Sequence, residues 1–155
     1  AADRTTRKST TGMVVRLGMH MVKSTSNLQS SIGLNVSECE FYALVHGGAH
    51  SLGMQSFLRD LGLELTITLE SDSNAAGAFC SRKCLGKQRH VETRYLWIQD
   101  MVAMGRLRIR KIPGDANTSD ILTKSVTGPT LVRHSTTLGL VAVRRSKLQK
   151  SANVG

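Results

Sequence analysis

The sequence predicts one mixed α/β domain with elements in the order βββ-α-β-α-α-β-α, and three observations carry that reading. Apolar and polar residues alternate over 63–71 and again over 106–112, the period of a half-buried strand. Apolar residues recur at helical spacing over 36–61 and 90–104, which marks helices packed on one face. Gly62, Gly105 and Pro113-Gly114 punctuate these runs where helices and strands should stop. Hairpin strands ahead of strand-to-helix units make a sheet that buries one face under helices.

Taken in order, residues 1–11 are polar and basic and read as a loop, and residues 12–140 as the folded domain. Residues 12–17 are short, apolar and β-branched, Gly18 turns them, 20–24 return as a partner strand, and 28–34 form a third extended stretch. In 36–61, Ser37 followed by Glu40 has the spacing of a capping box, and Phe41, Leu44, Val45, Leu52 and Leu58 supply the apolar stripe. Gly47 and Gly48 interrupt that helix at about 1 kcal/mol each against Ala, a cost that close packing on a sheet would offset. The strand 63–71 runs into Asp72-Ser73-Asn74, and 75–80 begin a short helix. A basic linker containing Arg82, Lys83, Lys87 and Arg89 leads to His90, after which Val91, Tyr95, Ile98 and Val102 repeat at helical spacing. Residues 106–112 are the last strand, 115–124 turn into a short helix, 129–138 form one more, and 141–155 are a basic disordered tail.

The chain has 155 residues, and 21 Lys and Arg against 11 Asp and Glu give a formal charge of +10. Such a balance points to a polyanionic partner, nucleic acid first, with a plainly solvated basic surface as the competing explanation. Cys39, Cys80 and Cys84 are an odd set without a disulfide-framework spacing, which favours a reducing compartment, and Cys80 and Cys84 with His90 match no zinc motif well. No stretch has the length of a membrane span, and the first residues are no signal peptide, so the expectation is a soluble, intracellular protein. The first residue is Ala rather than Met, as in a piece of a longer coding sequence.

Three acids stand out. Glu40, Asp72 and Asp120 each occupy a polar stretch at an expected helix start, and carboxylates so placed in a basic chain suggest a metal site. They are far apart in sequence, so only a fold that gathers strand ends and helix starts at one sheet edge unites them. Taken singly, Glu40 also reads as the capping-box partner of Ser37, and Asp72 and Asp120 as charges that complement helix N-termini.

The blocks around these acids resemble the ribonuclease H domain of copia-type retrotransposon polyproteins. Arg7-Lys8-Ser9-Thr10-Thr11-Gly12 looks like that family's Arg-Lys-Ser-Thr-Ser-Gly, and Ser37-Glu38-Cys39-Glu40-Phe41-Tyr42-Ala43-Leu44 like its Thr-Glu-Ala-Glu-Tyr-Ile-Ala-Leu. Ser71-Asp72-Ser73-Asn74-Ala75-Ala76 is similar to Cys-Asp-Asn-Gln-Ser-Ala, and Arg89-His90-Val91-Glu92-Thr93-Arg94-Tyr95 to Lys-His-Ile-Asp-Ile-Arg-Tyr. Ser119-Asp120-Ile121-Leu122-Thr123-Lys124 resembles Ala-Asp-Ile-Leu-Thr-Lys, and all five blocks stand in one order.

The resemblance implies a ribonuclease H-like mixed sheet flanked by helices, with Glu40, Asp72 and Asp120 as ligands of two Mg²⁺ ions, Mn²⁺ being a substitute. It implies hydrolysis of the RNA strand of an RNA–DNA hybrid, with Arg82, Lys83, Lys87, Arg89 and Arg94 on the hybrid backbone. The reverse transcriptase part of the same polyprotein is the implied upstream partner, and cytoplasmic particles or the nucleus the implied setting. The family's first, central strand and its Asp would precede Ala1, so the resemblance also implies an incomplete site and impaired activity. The alternative is a catalytically silent nucleic-acid-binding remnant.

Overall fold

Gly18, with φ at +60°, makes the tight turn that opens the chain's first hairpin, a conformation open to a residue without Cβ. In the computed structural model, which describes residues 5, 7–84, 90–91 and 93–141, that hairpin joins β1 (Thr10–Leu17) to β2 (His20–Leu28). The pair is antiparallel, with one irregularity between Val15 and Arg16. The long helix α1 (Val36–Asp60) leads to β3 (Ile67–Ser71), α2 (Asn74–Ser81), a 3₁₀ turn at Thr93–Tyr95 and α3 (Trp97–Ala103). β4 (Leu107–Lys111) then lies parallel to β3, and two 3₁₀ turns, Gly114–Ala116 and Thr118–Leu122, precede α4 (Gly128–Thr137). This is the mixed α/β class with flanking helices, consistent with a ribonuclease H-like fold.

Among the described residues the sheet is in two halves, β2-β1 and β3-β4, with no ladder between β1 and β3. A cleft of about 910 Å³ opens between those two strands, walled by α1 and by the Thr118–Leu122 turn. The Arg16 guanidinium reaches across from β1 to Glu70 of β3 at 3.1 Å.

The core lies on the helical face of the β3-β4 half. Phe41, Leu44 and Val45 of α1, Leu69 of β3, Phe79 and Cys80 of α2, Ile98 of α3 and Leu107 of β4 are buried there. The rings of Phe41 and Phe79 meet edge to face at 4.5 Å between centroids. Gly48 explains why a glycine is tolerated inside α1: a Cβ there would stand 3.3 Å from Trp97 and 3.4 Å from Leu107.

Several expected boundaries move, each for a local reason. The third extended stretch does not form. The ladder ends as Gln29 N–H bonds Ser9 O, and the buried Gln29 amide then donates to Thr11 Oγ1 and Cys39 O, turning the chain toward α1. β3 starts at Ile67, four residues later than the alternation suggested, because β4 offers only five partners and Gln55 occupies the Leu65 carbonyl. The helix expected over 90–104 breaks into a 3₁₀ turn and the short α3. Strand β1 begins at Thr10, inside the stretch read as a loop. The tail beyond residue 141 lies outside the described residues.

Candidate functional site

The three acids all line the cleft between β1 and β3, and none of them caps a helix. Asn35, not Ser37, caps α1: its side chain accepts the Glu38 N–H at 2.9 Å, while Glu38 Oε2 accepts the Leu34 N–H at 3.0 Å. The Ser37–Glu40 capping box is thereby corrected to an Asn35–Glu38 arrangement, and Glu40 is left facing the cleft. Ser73, one residue past Asp72, caps α2 by accepting the Ala76 N–H. Asn117 accepts the Ser119 N–H at the start of the turn that carries Asp120. Neutral side chains perform every capping duty that the acids had as their ordinary explanation.

Asp72 follows the end of β3, and Asp120 sits in the Thr118–Leu122 turn. The Asn117 amide joins them, donating to Asp72 Oδ1 and to Asp120 Oδ1 at 3.3 Å each. Lys124 Nζ pairs with Asp120 Oδ2 at 2.7 Å, and that hydrogen bond, followed by the charges of Asp120, Asp72 and Glu40, raises the lysine above its ordinary range. Burial raises the Glu40 carboxyl, and the nearby negative charges of Asp72 and Asp120 push it further. Three oxygen donors near enough to feel one another are the donor chemistry that a hard divalent cation takes. Among the described residues, however, no group of three His, Cys, Asp or Glu side chains closes around one ion position. The donor types fit Mg²⁺; the spacing is open.

A raised acid has a stability consequence of definite sign. Glu40 is protonated in folded and unfolded chains alike below its ordinary value of 4.5, and above that the folded state carries the cost of ionising it. Stability contributed by this group is therefore present below 4.5 and lost as pH rises through the folded value. Glu40→Gln is expected to melt higher than the parent at pH 7 without divalent cation and equally at about pH 4. Identical melting at pH 7 would show that neither burial nor the neighbouring charges raise Glu40.

Gly12 of β1 makes room for the Asp120 turn. A Cβ at this position would lie 2.6 Å from Thr123 Cγ2, 2.8 Å from the Ser119 carbonyl and 2.9 Å from Leu122 Cβ. The turn would have to move, so Gly12→Ala is expected to cost about 1–3 kcal/mol in thermal unfolding and to shift the Asp120 resonances. This contact joins elements more than a hundred residues apart and left no signal in the sequence beyond the glycine.

Glu38 was also missed. It is buried to 1% exposure and accepts Tyr42 Oη–H at 2.6 Å, with His90 Nε2 at 2.8 Å from its other oxygen. Burial alone would raise its carboxyl, but the bonds from Tyr42, His90 and Leu34 outweigh it and hold the group below its ordinary value. His90 thus anchors the far end of the basic linker to the start of α1. Of the two cysteines set beside His90 in the sequence reading, Cys80 is buried, with its thiol pushed up to about 12, and Cys84 is exposed.

Of the residues expected on a nucleic-acid backbone, Arg82 and Lys83 are exposed after α2. Arg82 lies over the Phe79 ring at 5.2 Å, and the exposed Arg94 over the Tyr95 ring at 4.8 Å. Lys87 and Arg89 lie outside the described residues.

The retrovirus-related Pol polyprotein from transposon TNT 1-94 of Nicotiana tabacum is 30% identical to this chain over 128 residues, 81% of the chain. The chain is homologous to a region of transposon Pol polyproteins. Those from transposons RE1 and RE2 of Arabidopsis thaliana are each 24% identical over 146 residues, 92% of this Pol-related chain. The Pol-related chain spans 10% of the length of each of these relatives. No family model matches it, and no solved structure matches it significantly. Among the described residues no helix is long and apolar enough to cross a membrane.

Proposed function

We propose that this chain is the ribonuclease H part of a retrotransposon Pol polyprotein, hydrolysing the RNA strand of RNA–DNA hybrids when its site is complete. The observation that supports this reading best is the convergence of Glu40, Asp72 and Asp120 on one cleft with neutral residues doing their capping. These three carboxylates would hold Mg²⁺, which when bound activates water and neutralises the leaving oxygen. Asn117 would orient two of them, and Lys124 would yield Asp120 as the cation enters. Arg82, Lys83 and Arg94, with Lys87 and Arg89, would track the hybrid backbone.

The cleft between β1 and β3 supports a further part of the proposal. Both facing strand edges lack a ladder partner among the described residues, and backbone groups so arranged accept an added strand. The occupant is an extended segment from the upstream, reverse transcriptase side of the polyprotein, bringing another carboxylate. The setting would be cytoplasmic particles or the nucleus, without membrane.

The test is cleavage of an end-labelled RNA–DNA hybrid in Mg²⁺ by the 155-residue chain and by a chain lengthened with its upstream coding sequence. Cleavage by the longer chain alone is expected. Strong cleavage by the 155 residues alone would remove the need for the added strand. The unclosed ligand set favours a second reading, a silent nucleic-acid-binding remnant, which binding without cleavage by both chains would establish.

A further inference from the structure

We propose that the sheet face turned away from the helices is a second phosphate-binding surface, with Arg106 and Arg108 as its contacts, an inference that rests on the nucleic-acid reading above. In β4 Leu107 and Ile109 face the helices while Arg108 and Arg110 are exposed on the other side, and the exposed Arg106 immediately precedes the strand. Leu107 comes close to Gly48 of α1 and Ile109 to Gly77 of α2, which fixes the direction in which Arg108 and Arg110 point.

The charge of this face is largely uncompensated. Glu70 of β3, opposite Arg110 in the ladder, pairs with both Arg110 and Arg16. Arg108 stands opposite Thr68. Among the described residues neither Arg106 nor Arg108 has a side-chain hydrogen bond or ion pair. Of these four guanidinium groups, Arg16 and Arg110 share the Glu70 carboxylate, and Arg106 and Arg108 are left without one.

Geometry favours a nucleic-acid strand over an unstructured acidic partner. Arg106 to Arg110 span at most about 13 Å of extended chain, close to the axial length of about four phosphates of one strand in a duplex. Guanidinium forks suit phosphate oxygens better than ammonium groups do. The row also has a direction. β4 runs parallel to β3 and ends where Lys111 donates to the Asp72 carbonyl, so a backbone lying along the arginines leads toward the acids. Charged residues on an edge strand also guard against strand-to-strand aggregation, which is the competing explanation for them.

The experiment compares the 155-residue chain with Arg106→Gln/Arg108→Gln in binding a labelled RNA–DNA hybrid between 50 and 200 mM salt, with thermal melts as a control of folding. Loss of two phosphate contacts should flatten the slope of log affinity against log salt by about 1.8 and weaken binding roughly 60-fold at 0.1 M salt. The melts should coincide. A parent that binds and a variant with the same slope and affinity would overturn the proposal while leaving the nucleic-acid reading intact, and would assign the row to edge protection. A parent that fails to bind at 50 mM salt would overturn both. Should the variant melt earlier, Arg108→Lys, which keeps the charge, must restore the slope; failure to do so counts against the contact.

Discussion

Under the proposed function, Asp72→Asn in a chain lengthened with its upstream coding sequence is expected to slow RNA cleavage by about 10²- to 10³-fold, the rate equivalent of roughly 3–4 kcal/mol of lost charge stabilisation. The substitution is nearly isosteric. It spares the cap of α2, because Ser73 and not Asp72 accepts the Ala76 N–H, and it keeps an oxygen for the Asn117 amide 3.3 Å away. Melting temperature and hybrid affinity should therefore change little while the rate collapses. A variant within tenfold of the parent rate would make Asp72 a bystander at the end of β3.

Phe79→Ala should be the most damaging change away from the site. Phe79 is 1% exposed, its ring meets Phe41 edge to face, and it belongs to the helix that begins two residues after Asp72. Truncating a buried Phe leaves a cavity and costs about 3–5 kcal/mol, which lowers the melting temperature of a domain this size by roughly 10 °C. Because the Arg82 guanidinium rests over the same ring, the loss also frees the first residue of the basic linker. Thermal unfolding monitored by circular dichroism measures the first effect, and the salt slope of hybrid binding the second. A drop of only a degree or two would place Phe79 in a site that collapses around the missing ring.

The elements that were legible in the sequence are those whose signal is local and long. α1 runs for 25 residues, starts at Val36 as expected and buries Phe41, Leu44 and Val45 of its apolar stripe, and β4 declares itself by Leu107 and Ile109 alternating with Arg108 and Arg110. β3 was overextended because alternation reports which residues are amphipathic, not how many partners the neighbouring strand provides. The cap of α1 was misassigned for a related reason: Ser37 and Glu40 have capping-box spacing, yet Asn35 lies two residues earlier and takes the Glu38 N–H first. At the site the acids were visible as charged residues in polar helix starts. Asn117 and Lys124 were not, since their roles exist only once the Asp120 turn lies beside Asp72. Glu38 depends on His90, 52 residues away, and no spacing rule links them.

The division of labour between neutral caps and cleft acids governs what random substitution can do to this chain. Asn35, Ser73 and Asn117 are tied to folding by the backbone N–H groups they satisfy, so their loss is felt as instability in any copy, active or not. Burial and the neighbouring acids disfavour a charged Glu40, and Asp72 and Asp120 satisfy no helix terminus, their bonds being to the Asn117 and Lys124 side chains of the same cleft. A copy released from the demands of catalysis would shed these acids early and keep its shape.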